Sequence, residues 1–340
     1  MTFIIRSEKD PNIWVSVLKD SVSPEGDRLF TIHAHYPRIV HAEIMTHSIL
    51  PKNATSSRAV PVSNFLETIE NNPFIPTFIG KNQSGMVAGE DISDAERKQV
   101  EKLIKNHLKA TIKFVRKLSD KDGLNLHKQI PNRYTEAFQY MNTIISGTEW
   151  HGQIGNFFKL RNHPDAEPHF QELAKCIQQA YDTHKPELLY PGEWHLPFID
   201  TQRDNDGTLR YGLVESLGEH PDGTYTPLFD ELSLEDAKRI SASCAAQISY
   251  RKGDTSLEKA KFVWDKLIHN KPEHSSPLQH QGTPIDYNLL RDDERKAFDI
   301  VGITHMDRRY NLWSAQFKGW IMFRKEWEHQ QEIIKRDEIT

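Results

Sequence analysis

Ser93-x-x-Glu96 opens the longest uninterrupted amphipathic stretch of the chain. A Ser hydroxyl and a Glu carboxylate three residues apart satisfy each other's backbone donors and start a helix. Apolar residues then recur at helical spacing to about Leu118. Some 25 residues at 1.5 Å each give a helix of ~38 Å. Shorter helices are expected over Val62–Glu70, 127–147, Asp165–Tyr181, Ser233–Ala246, Ser256–His269 and Phe317–Glu328. A strand is expected at Phe30–Tyr36, ended by Pro37. Pro73–Glu90 is read as a long ordered loop. From Pro186 to Pro227 the pattern breaks into turns, with Asn205-Asp206-Gly207 and Asp222-Gly223 as hairpin signals. Helices outnumber strands in this reading. The fold class is therefore α+β: one intertwined unit over 1–340, with a variable surface insertion near 184–227.

Charge and cysteine usage narrow the function. The formal net charge is -5 over 340 residues. No overall basic excess exists to hold a nucleic-acid polymer, but a nucleotide needs only two or three placed donors. Cys176 and Cys244 both fall in segments read as helices, show no zinc-type spacing and cannot build a disulfide framework. The N-terminus carries no apolar leader, and no apolar run approaches 18 residues. A soluble, cytoplasmic protein without a membrane span is the expectation. His33, His35, His41 and His47 lie close together, but no Cys or Asp joins them at fixed spacing, so no metal site is expected.

The stretch THSILPKNATSSRA, Thr46–Ala59, carries the most chemistry. Ser56 and Ser57 can donate to phosphate oxygens, and Arg58 can do so bidentately. The same residues also suit an ordinary Ser/Thr-rich turn with a solvated Arg. Further on, His127-Lys128-Gln129-x-x-Asn132-Arg133 is polar on one helical face. It lines a nucleotide site or faces solvent; the sequence leaves both open.

Thr46–Ala59 resembles the signature of the flavin-dependent thymidylate synthases, Arg-His-Arg-x-x-Ser-x-Asn-Glu-x-Ser-x-Arg-Tyr. His47, Asn53, Ser56 and Arg58 match with the spacing intact. Thr46 and Ser48 replace Arg, Pro51 replaces Ser, Ala54 replaces Glu and Ala59 replaces Tyr. The continuation through Pro61 and the loop Gly80-x-Asn82-Gln83-x-Gly85-Met86 look like the long phage-type members, in which Ala at the Glu position is expected. A second block, Asn156-Phe157-Phe158-Lys159-Leu160-Arg161 followed by Asp165-Ala166, is similar to the family's Asn-Phe-x-x-Leu-Arg block. A third, Ala245-Ala246-Gln247-Ile248-Ser249-Tyr250 with His274-Ser275-Ser276-Pro277-Leu278-Gln279-His280, resembles blocks that precede the signature in short members. Here they follow it by about 200 residues, an order like a circular permutation.

The resemblance implies the family's α+β fold with permuted block order and surface insertions, as a homo-oligomer (tetramer or dimer) with active sites between subunits. It implies one-carbon transfer to C5 of a pyrimidine deoxynucleoside monophosphate, dUMP, with FAD as cofactor and methylenetetrahydrofolate and NADPH as cosubstrates. Arg58, Arg161 and Ser56 would carry the catalytic contacts. Glu43, Ser56, Ser57, Arg58, Arg161 and Lys128 would hold the substrate. His47, Asn53, Asn156, Ser249, His274 and Ser276 would line the flavin. The missing Arg side chains at 46 and 48 predict weakened flavin binding unless Lys52, Lys128 or Arg133 compensates. Two other functions stay open: a diverged dCMP or dUMP C5 hydroxylase or hydroxymethylase, and a nucleotide-binding relative that has lost flavin. Neither cysteine reads as an exposed thiolate, so the unrelated Cys-nucleophile route is not supported.

Overall fold

The computed structural model describes residues 3–152, 156–219, 225–249, 253–290 and 299–337. Alternation of apolar side chains builds the first layer. Strands β1 (Ile4–Arg6), β2 (Trp14–Val22) and β3 (Arg28–Pro37) are antiparallel neighbours. Phe30, Ile32, Ala34 and Tyr36 alternate into the core along β3. After the short helix α1 (His41–Met45) comes β4 (Lys52–Ala54), at the far edge of the sheet. Between β3 and β4 runs β5 (Tyr140–Gly147), with Ile145 opposite both Ile32 and Lys52. The two-residue β6 (Glu187–Leu188) adds parallel to β2.

Helices α2 (Val62–Asn71) and α3 (Asp94–Ser119) form a side layer, where Leu66 and Ile69 meet Leu108, Ile112, Val115 and Phe138. The Ser93–Glu96 capping box opens α3 as the sequence predicts. The helix α4 (Phe157–Arg161) leads into α5 (Pro168–Thr183). Phe170, Leu173, Ala174, Ile177 and Ala180 of α5 pack into the core shared with β2, β3 and β5.

A second core belongs to the C-terminal half. Strands β7 (Asp200–Arg203), β8 (Leu209–Glu219) and β9 (Tyr225–Leu232) form a meander. Beside it lie α6 (Leu234–Ala246) and α7 (Leu257–Trp264), the latter continued by a π-helical turn over Asp265–His269. Strand β10 (Gly282–Pro284), the small sheet β11 (His305–Met306), β12 (Leu312–Ser314) and β13 (Phe317–Lys318), then β14 (Trp320–Met322) and α8 (Phe323–Asp337) complete the chain. Trp194, Ile240, Trp264 and Phe323 centre this core.

A fully buried hydrogen-bond chain joins the two halves. His195 bonds Ser21 Oγ and Thr31 Oγ1, both at 2.9 Å. Thr31 meets Ser146 at 2.7 Å, and Ser146 meets His280 Nδ1 at 2.9 Å. The second polypeptide half is thereby fixed against the middle strands of the first, and the 3-10 turn Ser276–Gln279 is held beside β4.

Three expectations need correcting. The segment 127–147 is not one helix: a 3-10 turn over Pro131–Phe138 is followed by β5. Thr143, Ile144 and Ile145 are β-branched and buried, and the run packs between two strands, where such side chains fit a pleated surface better than a helix. Phe317–Glu328 is likewise divided, because Gly319 takes a φ of +73° and turns the chain between β13 and β14 before α8 begins. Strands are also more numerous than the periodicity suggests. The region 184–227 contains buried Leu189, Trp194, Leu196 and Ile199 besides its turns. Asn205-Asp206-Gly207 does link β7 to β8, with Asp204 N–H on Thr208 O at 2.9 Å, while the Asp222-Gly223 signal lies outside the described residues.

Candidate active site

The three sequence blocks meet around β4. Arg161, at the end of α4, reaches back to the start of the first block. Its Nη1 donates to Glu43 Oε2 at 2.9 Å, its Nε to His47 Nε2 at 2.8 Å and its Nη2 to Thr46 Oγ1 at 3.2 Å. Its guanidinium lies 4.7 Å from the centre of the Phe170 ring. At the other end of the block, the Ser56 N–H donates to Ser249 Oγ at 3.0 Å. Gln279 Nε2 donates to Asn53 Oδ1 and to the Lys52 carbonyl, both at 3.2 Å. Arg161, Ser249 and Gln279 thus each contact the one segment that runs from α1 through β4 to Ser56.

His47 is buried and its imidazole is neutral. Burial, then the nearby Arg161 and Lys52 charges, lower its pKa to about 4. Burial also lowers Lys52, to about 8. The Lys52 ammonium is turned inward, onto the carbonyls of Leu50 (2.6 Å) and His47. It does not replace the cations absent at Thr46 and Ser48, which both sit exposed.

The Ser56–Val60 turn is braced from behind. Ser57 is buried; its hydroxyl donates to Glu136 Oε1 at 2.8 Å and accepts from Arg38 Nη2 at 3.0 Å. Asn132, wholly buried, donates to the carbonyls of Ser57 (2.8 Å) and Val60 (2.9 Å), and Lys128 Nζ donates to that of Ala59 at 2.7 Å. Two members of the polar 127–133 face therefore hold the turn's backbone. Arg133 is exposed and lies 3.8 Å from Glu136. On the outer side Ser56 and Arg58 are exposed, and Arg58 makes no ion pair among the described residues. Arg38 and Glu136 were not singled out from sequence; Arg38 follows directly on the strand-ending Pro37, the one local hint.

The remaining candidates are more dispersed. Asn156 occupies the left-handed region, φ +43°, at the start of α4. His274 is exposed and its Nδ1 lies 3.3 Å from Ser276 Oγ. His33, His35 and His41 each have a hydrogen-bond partner: Asn142, the Asn12 carbonyl and Tyr36. Both cysteines are buried, and burial pushes each thiol up to about 12, so neither supplies a thiolate.

Solved structures of two pyrimidine-nucleotide enzymes are similar to this chain. One is a UMP/dUMP methylase, PolB from Streptomyces cacaoi, bound with 5-Br UMP: 13% identity over 52% of this chain and 91% of that one, TM-score 0.39. The other is the flavin-dependent thymidylate synthase ThyX from Helicobacter pylori, complexed with FAD and dUMP: 17% identity over 45% and 67%, TM-score 0.29. No family model matches the chain, and no curated protein does. No described helix is long and apolar enough to cross a membrane.

Proposed function

We propose that the chain modifies C5 of a pyrimidine deoxynucleoside monophosphate, with dUMP as substrate, by one-carbon transfer with a flavin. One observation carries this reading. Three motif blocks separated by up to 200 residues in sequence meet along the segment from Glu43 to Ser56 through Arg161–Glu43, Arg161–His47, Ser249–Ser56 and Gln279–Asn53 contacts. Unrelated matches to a signature have no reason to assemble in space.

The residues have distinct tasks in this proposal. Arg58 takes the phosphate, with Ser56 beside it; Ser57, Lys128 and Asn132 keep the turn rigid so that those donors stay aimed. Arg161 orients Glu43, whose second carboxylate oxygen is left to accept from an N–H of the base. Asn53, Ser249 and Gln279 offer the neutral donors and acceptors that suit the edge of a flavin ring; His47, Asn156, His274 and Ser276 are the further flavin-lining residues of this proposal. Bound there, flavin supplies the reducing equivalents of the transfer. Methylenetetrahydrofolate is the proposed carbon donor and NADPH the reductant.

A second chain completes the site in this reading. Ser56, Arg58 and His274 are exposed, so a neighbouring chain can reach them. Light scattering at micromolar concentration tests it; a fully active monomer overturns it.

The inward Lys52 and the exposed Thr46 and Ser48 favour a second reading, a nucleotide-binding relative without flavin chemistry. Incubating dUMP and dCMP separately with protein, FAD, methylenetetrahydrofolate and NADPH decides between them. A methyl-sized mass gain on dUMP supports the proposal, and a hydroxymethyl- or hydroxyl-sized gain on either nucleotide identifies a diverged C5-modifying enzyme. Nucleotide binding with no product and a colourless protein supports the flavin-free relative.

A further inference from the structure

The net charge of -5 conceals a segregated basic stripe on α3. Lys98, Lys102, Lys105, Lys109, Lys113 and Arg116 follow one another at spacings of three and four. At 100° per residue they fall within a sector of about 80°, and they extend for about 27 Å along the helix. All are exposed. Lys105 pairs with Glu101 and Arg116 with Glu70, whereas Lys98, Lys102, Lys109 and Lys113 make no ion pair among the described residues. The acidic residues of α3 are Asp94, Glu96 and Glu101, all in its first third. Complementing the helix dipole accounts for Arg116 and Lys117 in the last turn, but that effect fades within one turn and does not account for the cations further back.

The stripe borders a groove of about 830 Å³, walled by Glu70 and Pro73 on one side and by Lys105, Lys109 and Lys113 on the other. Leu108, Ile112 and Val115 of α3 are spent on the protein core. The exposed apolar residues of α3, Leu103 and Phe114, lie at least about 80° round the helix from the edge of the stripe, so the cations do not flank an apolar face as they do in membrane-binding helices. A straight, evenly spaced row of cations matches a polymer with an evenly spaced row of anions.

We propose that this face of α3 binds the phosphate backbone of a nucleic acid, independently of sequence. Neighbouring cations ~5–6 Å apart follow one strand, and six such contacts released from counterions predict a slope of log K against log salt of about -4 on a single strand. The site is remote in sequence from the nucleotide-binding residues and does not depend on their assignment.

The test is fluorescence anisotropy of the full chain with a 20-nucleotide single strand, a duplex of equal length and a polyglutamate of equal charge, from 50 to 200 mM salt. The variant Lys102→Gln/Lys105→Gln/Lys109→Gln/Lys113→Gln keeps good helix formers at exposed positions; circular dichroism checks its fold, and nucleotide binding checks the separate site. The expected result is a steep salt dependence with the single strand, falling to a slope between about -1 and -2 in the variant. Absence of binding at 50 mM salt, binding unaltered in the folded variant, or equal binding of polyglutamate overturns the proposal. Stronger binding of the duplex than of the single strand supports it and identifies the form of backbone preferred.

Discussion

Arg161 donates from Nε to Nε2 of His47 at 2.8 Å. An arginine always donates, so His47 must accept on that nitrogen and be neutral. Its folded pKa, lowered to about 4 from an ordinary 6.5, gives the pH dependence its sign. Between those values the unfolded chain binds the proton and the folded one does not, so stability is full above pH 6.5 and falls as pH drops towards 4. His33, His195 and His280, also lowered by burial, add in the same direction. His47→Gln keeps an acceptor for Arg161 and removes one titrating group. Chemical denaturation from pH 4 to 7 should show a shallower slope in that variant, by up to ~1.4 kcal/mol per pH unit. An unchanged slope contradicts the neutral His47.

The two arginines should separate in their effects. Arg58 is exposed and makes no ion pair among the described residues, so Arg58→Ala should leave the melting temperature unchanged. It should weaken dUMP by ~1.5–3 kcal/mol, about ten- to a hundredfold. Arg161→Ala should lower both, because it strips Glu43, Thr46 and His47 of a shared partner. Calorimetric binding and thermal unfolding of both variants test this; equal dUMP affinity in wild type and both variants removes the nucleotide site.

Flavin should bind weakly and be partly lost on purification, since only Arg58 is an exposed cation within the signature segment. Restoring charge at Ser48 should work better than at Thr46. Thr46 accepts from Arg161, so a second guanidinium there both loses that bond and meets a like charge. Fluorescence titration should show FAD tightening by about tenfold or more in Ser48→Arg, as expected for a charge-assisted contact, and less in Thr46→Arg. No FAD binding in either variant points to the flavin-free relative.

Asn132 should couple folding stability to nucleotide binding in the proposed function. Removing it leaves the Ser57 and Val60 carbonyls without their donor inside the protein. Asn132→Ala should cost about 2–3 kcal/mol of folding stability from two lost hydrogen bonds and their desolvated partners. It should also reduce nucleotide affinity by loosening the turn that carries Ser56 and Arg58. Denaturant unfolding with parallel dUMP titration reads both; a stable variant with weak dUMP binding, or the reverse, shows that the turn and the site are not coupled.

The sequence by itself determined the local structure whose causes are local. Ser93 and Glu96 cap α3, Ser233 and Ser256 cap α6 and α7, and Asn205-Asp206-Gly207 turns the β7–β8 hairpin. It also exposed the motif blocks, because their spacing is a property of the chain. Tertiary structure decided what those blocks touch. Thr143-Ile144-Ile145 is a strand only because β3 and β4 lie on either side of it. The inward turn of Lys52, the bracing of Ser57 by Arg38 and Glu136, and the hold of Arg161 on His47 are set by partners distant in the chain. Those choices follow from burial: a side chain taken out of water must bond whatever the fold brings within reach, and no local pattern specifies what that will be.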